Sequence, residues 1–74
     1  SYRMVNMHEK QSLGARIVEA RKARGVSQRQ LALMTGTSRS YLWKIEIGTA
    51  DVGIDLLIRI ARALDLNVRD LIDF

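Results

Sequence analysis

The sequence predicts a small all-α domain of five helices, and three observations carry that prediction. Apolar residues recur at three- and four-residue spacing in separate segments, glycines and Ser/Asn cap residues fall between those segments, and no run alternates apolar and polar residues as a half-buried strand would. With 74 residues, 47% of them hydrophobic and none Cys or Pro, the chain can build one small core but no disulfide framework or thiolate zinc site. So short a chain has little left to wall a substrate cavity, and an enzyme is not expected. Every apolar run is broken by charge well before the ~20 residues of a membrane span, and the start lacks a signal-peptide pattern, so a soluble cytoplasmic protein is expected.

Residues 1–10 (SYRMVNMHEK) show no sustained period, which suggests a flexible N-terminal arm before a domain over residues 11–74. His8 stands alone in that arm as a solvated side chain without metal-ligand spacing. From Leu13 the pattern changes: Leu13, Ile17 and Ala20 recur at helical spacing with Val18 alongside, while Arg16, Glu19 and Lys22 take the wet side as far as Arg24. Gly25 then reaches the left-handed conformation without a Cβ clash, and Val26 beyond it can fold back as the hydrophobic contact of a C-cap.

Ser27-Gln28-Arg29-Gln30 fits a capping box for a short second helix, with Leu31 and Ala32 inside and Gly36 as its stop. Ser38 is a suitable N-cap for a third helix running to about Glu46, before Gly48. The stretch from Gly48 to Gly53 reads as a loop. Ile54, Leu57, Ile58, Ile60, Ala61 and Leu64 then give a dense stripe, with Asp55 at the positive end of the helix dipole and Arg62 nearer the negative end. Asn67 followed by Asp70 predicts a last short helix carrying Val68, Leu71 and Ile72.

Charge is unevenly distributed. Residues 1–44 carry nine Lys/Arg and two Asp/Glu, whereas residues 45–74 carry three and six. A fold that gathers the first part on one side presents a basic face to a polyanion, either nucleic acid or an anionic membrane.

The stretch Gln28 to Glu46 (QRQLALMTGTSRSYLWKIE) has the residue types that two closely crossing helices and a tight turn require, with Ala32, Gly36 and the aliphatics Leu31, Leu42 and Ile45. It closely resembles the helix-turn-helix of the Cro/C1-type (XRE-like) repressor family. The resemblance covers about residues 13–73, including Leu13-Gly14, Arg21, Arg24-Gly25 and the Leu57-x-x-Ile60-Ala61-x-Ala63-Leu64 helix. It implies a compact lambda-repressor-like domain with the helix-turn-helix at helices 2 and 3, and a double-stranded DNA-binding transcriptional regulator, a repressor in preference to an activator.

At ~100° per residue, Leu42 and Ile45 of the third helix point one way, with Tyr41 on the flank. Ser40, Trp43 and Lys44 point the other way, and Arg39 lies at the border. An α-helix fits the major groove, where Arg pairs bidentately with guanine and Lys and Ser also reach bases or phosphates. By position in the family's motif, Arg39, Ser40 and Lys44 resemble the base-contacting residues. Ser27, Gln28, Arg29, Ser38, Trp43 and Arg21 are the corresponding backbone or groove-wall set, with Gln28 at a position that holds a phosphate in the family. Bland alternatives stand beside these roles: Arg39 as a solvated side chain, Ser40 as a small residue permitting close approach, Gln28 as an ordinary first-turn residue, Lys44 on phosphate instead of base, and Trp43 packed on a neighbour. The resemblance also implies an ion pair between Arg21 and Glu46, which orients the reading helix and leaves an Arg21 nitrogen toward a phosphate.

Departures from the family pattern are Ile47, where a phosphate-facing Arg or Asn is common, and Val52-Gly53, where Pro-Ser/Thr often opens the fourth helix. Leu33, Met34 and Leu56 are apolar where relatives carry polar groups, enough to form a sticky patch if exposed. One recognition helix reads too few base pairs to single out a site, so a homodimer on a pseudo-palindromic operator is expected, joined through Leu66, Val68, Ile72 and Phe74. Such a protein is nucleoid-associated and requires no cofactor, metal or small-molecule substrate. Rival readings are a protein-interaction module, such as an antitoxin-like helical domain, and a basic membrane-surface binder.

Overall fold

The computed structural model describes residues 7–72, as four α-helices and one 3-10 turn. The helices are α1 (Met7–Ala23), α2 (Gln28–Thr35), α3 (Arg39–Glu46) and α4 (Ile54–Ala63), and the 3-10 turn is Val68–Asp70. No strand occurs among the described residues. None of their helices is long and apolar enough to cross a membrane.

The local signals act as their chemistry requires. The backbone of α1 ends with Val26 N–H donating to the Arg21 carbonyl at 3.0 Å and Gly25 N–H to that of Lys22 at 3.1 Å, while Val26 packs on the core. Ser27 Oγ accepts from Gln30 N–H at 3.0 Å, and Gln30 Oε1 accepts from Ser27 N–H at 2.8 Å, so both orphan amides at the start of α2 are satisfied. Ser38 Oγ caps α3 by accepting from Tyr41 N–H at 3.0 Å. At the foot of α4, the 2.9 Å bond from Asn67 N–H to Asp70 Oδ2 ties the start of the 3-10 turn.

The core draws Leu13 and Ile17 from α1, Leu31 and Ala32 from α2, and Leu42 and Ile45 from α3. Leu56, Leu57, Ile60 and Ala61 come from α4, with Leu64 and Leu71 beyond it. The first helix packs on α3, and α2 packs on both α3 and α4, so the third helix is held by two neighbours along one side. A buried Thr35 finishes α2: its hydroxyl donates back to the Leu31 carbonyl at 2.8 Å, and its own carbonyl accepts from Arg59 Nε at 2.9 Å.

Three expectations are corrected. The first helix begins at Met7, ahead of Leu13. Its opening turns carry no apolar stripe because they face the α3–α4 loop, where Lys10 Nζ meets Asp51 Oδ1 at 2.6 Å and the backbone of Gly48 lies against Gln11. Of the proposed arm, residues 1–6 lie outside the described residues. The fifth element is one 3-10 turn instead of an α-helix, because three residues close it with the Leu71 N–H to Val68 carbonyl bond at 2.9 Å. Leu56 does not join an exposed patch but is buried in the core, whereas Leu33 and Met34 are exposed.

Asp65 closes α4 in the left-handed region, at φ 56°, with Leu66 N–H donating to the Ala61 carbonyl at 2.8 Å. This is the place that Gly25 fills after α1, and aspartate pays a Cβ penalty there. Asp65→Gly therefore raises stability by about 0.5 kcal/mol, part of the gain being offset by a freer unfolded chain. Thermal melts followed by circular dichroism check this, and a lower midpoint contradicts it.

Candidate nucleic-acid interface

The two faces of α3 are sharply divided. Leu42 and Ile45 are buried completely or nearly so, while Arg39, Ser40, Trp43 and Lys44 are exposed. The strip that the sequence nominates for reading bases is therefore uncovered. Tyr41, on the flank, donates its hydroxyl proton to the Asp51 carbonyl oxygen and so ties the helix to the following loop. Gly48, at φ 83°, ends α3 with Thr49 N–H donating to the Lys44 carbonyl at 3.0 Å.

Behind the strip stands the ion pair expected from Arg21 and Glu46. Arg21 Nε donates to Glu46 Oε2 at 2.9 Å and Nη2 to Oε1 at 3.1 Å, a two-pronged contact, and Nη1 donates to the Val26 carbonyl at 3.1 Å. The two side chains are only 12% and 4% exposed. Arg21 thus commits three of its five N–H donors inside the protein, and one N–H on each Nη remains beside the pair.

The structure also joins residues that the spacing did not connect. Gln28 Nε2 donates to Glu46 Oε1 at 2.9 Å, and Gln28 Oε1 accepts from Arg39 Nε at 3.3 Å. The first-turn glutamine of α2 therefore bridges the buried carboxylate and the exposed tip of α3. Nothing in the linear sequence marks this link, because the two contacts span 18 and 11 residues across separate helices. Ser27 and Ser38 use their oxygens as caps, which leaves each O–H proton to donate outward, and Arg29 is exposed on the first turn of α2. Of the apolar residues expected to join two copies, Leu66 and Val68 are half-buried against the core and Ile72 is exposed; Phe74 lies outside the described residues.

Two short helices packed on each other, with Ala32 buried, a three-residue turn between them and a polar outer strip on the second, define a helix-turn-helix. The helix-turn-helix family model matches residues 17–71, and the chain belongs to this family of Cro/C1-type (XRE-like) transcriptional regulators. A curated relative, the HTH-type transcriptional regulator y4dL of Sinorhizobium fredii, is 43% identical over 49 residues, which cover 66% of this chain and 25% of the relative. The match thus spans about a quarter of that protein. Among solved structures, the restriction-modification controller protein C.AhdI of Aeromonas hydrophila superposes with a TM-score of 0.84 at 36% identity, covering 86% of this chain and 97% of that one. The biofilm master regulator SinR, solved in complex with DNA, has a TM-score of 0.76 at 35% identity, covering 80% and 95%.

Proposed function

We propose that this chain is the sequence-reading part of a cytoplasmic, nucleoid-associated repressor, which lays α3 in the major groove of a pseudo-palindromic operator as a homodimer. The observation that carries the reading is the division of α3: its apolar face is sealed by the core, so Arg39, Ser40, Trp43 and Lys44 are presented outward on a rigidly held helix. Arg39 and Lys44 offer donors to guanine O6 and N7, and Ser40 permits close approach. The helix N-terminal amides of α2, with Ser27, Gln28, Arg29 and Ser38, face the phosphates flanking that groove. A similar domain, SinR, has been seen with DNA. Pairing of two copies through Ile72 and its surroundings sets the two reading heads about one DNA turn, ~34 Å, apart.

Selection from a random duplex pool tests this reading, through enrichment of two inverted half-sites at that spacing. Arg39→Ala weakens binding to the selected operator by about 1–3 kcal/mol while leaving random duplex nearly unaffected, because a base contact discriminates and a phosphate contact does not. Equal losses on both duplexes in a gel-shift titration remove Arg39 from the base-reading set. Trp43, half exposed on the same strip, changes fluorescence intensity or emission wavelength on saturation with operator. An unchanged spectrum removes it from the contact surface.

A protein-interaction module is the second reading, favoured by Leu33 and Met34 side by side and exposed on α2. Salt separates the two: DNA binding through phosphates makes log K fall with log salt by about 0.9 per phosphate neutralised, whereas docking of an apolar pair does not.

A further inference from the structure

Four side chains from three helices form one hydrogen-bonded line that runs from the interior to the tip of the reading helix. Arg21 grips both oxygens of Glu46, Glu46 Oε1 also accepts from Gln28 Nε2, and Gln28 Oε1 accepts from Arg39 Nε. The first two are buried or nearly so, Gln28 is half-buried and Arg39 is exposed. We propose that the base preference of Arg39 is set from inside the domain: Glu46, held by Arg21, dictates which way the Gln28 amide faces, and the Gln28 carbonyl oxygen holds the Arg39 guanidinium by its Nε edge. This inference rests on the base-reading role given to Arg39 above and deepens it.

A glutamine amide turned by half a rotation keeps its shape and exchanges donor for acceptor, so only its partners choose the orientation. Turned the other way, Gln28 sets its carbonyl against the Glu46 carboxylate and its NH2 against the Arg39 guanidinium. That is two acceptors at one end and two donors at the other. The carboxylate cannot swing to accommodate the change, because the Arg21 fork occupies both of its oxygens and is itself anchored on the Val26 carbonyl. A buried ion therefore decides the chemistry that a half-buried amide shows to the surface.

At Arg39 the consequence is geometric. With Nε engaged by Gln28, the Nη1 and Nη2 groups remain as the parallel pair that fits guanine O6 and N7. Released from Gln28, the same long side chain is free to turn toward phosphates or other base edges, which raises tolerance for the wrong base without removing its positive charge. Arg21 and Glu46 need touch no DNA to have this effect; with Gln28 they are positioning residues.

The test selects duplexes from a random pool with the wild-type chain and with Gln28→Met, Glu46→Gln and Arg39→Ala, the first two also combined with Arg39→Ala. The salt dependence of binding to one mixed-sequence duplex is measured alongside. The expected result is that Gln28→Met and Glu46→Gln each lower guanine preference by about tenfold at the position that Arg39→Ala also relaxes, within the discrimination that a bidentate pair confers. Preference at other positions and the salt slope stay unchanged, and neither variant adds to Arg39→Ala. A merely structural role would weaken all sequences together. If Glu46→Gln does not fold, Arg21→Lys replaces it, since a point-like ammonium cannot hold both carboxylate oxygens as the fork does.

Even weakening by Gln28→Met with guanine preference kept leaves Gln28 a phosphate ligand only and overturns the proposal. Loss of guanine preference in Gln28→Met but not in the Glu46 or Arg21 variant overturns control from the interior. A wild-type chain that enriches no motif removes the base-reading role itself and this inference with it, whereas a wild-type motif left intact in all the positioning variants overturns this inference alone.

Discussion

Gly14→Ala unfolds the domain at a denaturant concentration far below that of the wild type, with a stability loss of about 3 kcal/mol, the upper end of what one inserted methyl costs in a closely packed interior. Gly14 sits in α1 where that helix crosses the C-terminal end of α3. A Cβ placed there lies 2.5 Å from the Ile45 carbonyl oxygen, closer still to that of Glu46, and 2.7 Å from the Glu46 carbonyl carbon. All three neighbours are backbone. No rotamer change relieves the clash, so α1 must move away from α3, and the Arg21–Glu46 pair, which spans the same two helices, is pulled apart with it. For a domain of this size, 3 kcal/mol corresponds to a thermal midpoint lowered by roughly 12–24 °C. Circular dichroism melts and urea titrations read it directly, and an alanine variant of wild-type stability contradicts the close crossing. Operator affinity falls further than stability alone explains, because the reading helix is one of the two elements displaced.

What the sequence discloses about such a crossing depends on how local the cause is. Caps are local: Ser27 with Gln30, Ser38, and Gly25 with Val26 each act within a few residues, and each stands where the spacing places it. The outward strip of α3 was equally legible, because a helix with Leu42 and Ile45 turned inward has only one face left for Arg39, Ser40 and Lys44. The start of α1 was not, since its first turns are held by an ion pair to Asp51 and by the backbone at Gly48 instead of by an apolar period. Leu56 shows a different limit: it stands four residues before Ile60 on the same helical face, so its spacing already turns it inward, and only the comparison with polar residues in relatives pointed to an exposed patch. At the site, the Arg21–Glu46 pair was reached through the family resemblance, but the turn of Gln28 between Glu46 and Arg39 depends on three helices meeting and left no trace along the chain.

Removing the carboxylate at the centre of that meeting has the second large effect. Glu46→Ala lowers stability by about 3–5 kcal/mol, the range for breaking one partner out of a buried ion pair. The side chain is 4% exposed and accepts three hydrogen bonds, two from Arg21 and one from Gln28. Without it, an arginine that is itself 12% exposed loses its counter-charge but keeps its burial, and the Gln28 NH2 group loses its acceptor. An exposed pair behaves differently, costing under about 1 kcal/mol because water replaces the missing partner. The urea midpoint separates the two cases: with a slope of about 1 kcal/mol per molar for a small domain, it falls by roughly 3 M or more for the buried pair and by less than about 1 M for an exposed one. The double variant Arg21→Met with Glu46→Leu is expected to be more stable than either single change, since the penalty lies in the orphaned charge and two apolar side chains leave none. That double variant separates folding from reading. It restores the helix crossing while leaving Gln28 without its acceptor, so a chain that regains stability and random-duplex binding but not guanine preference assigns the pair its part in recognition as well as in the fold.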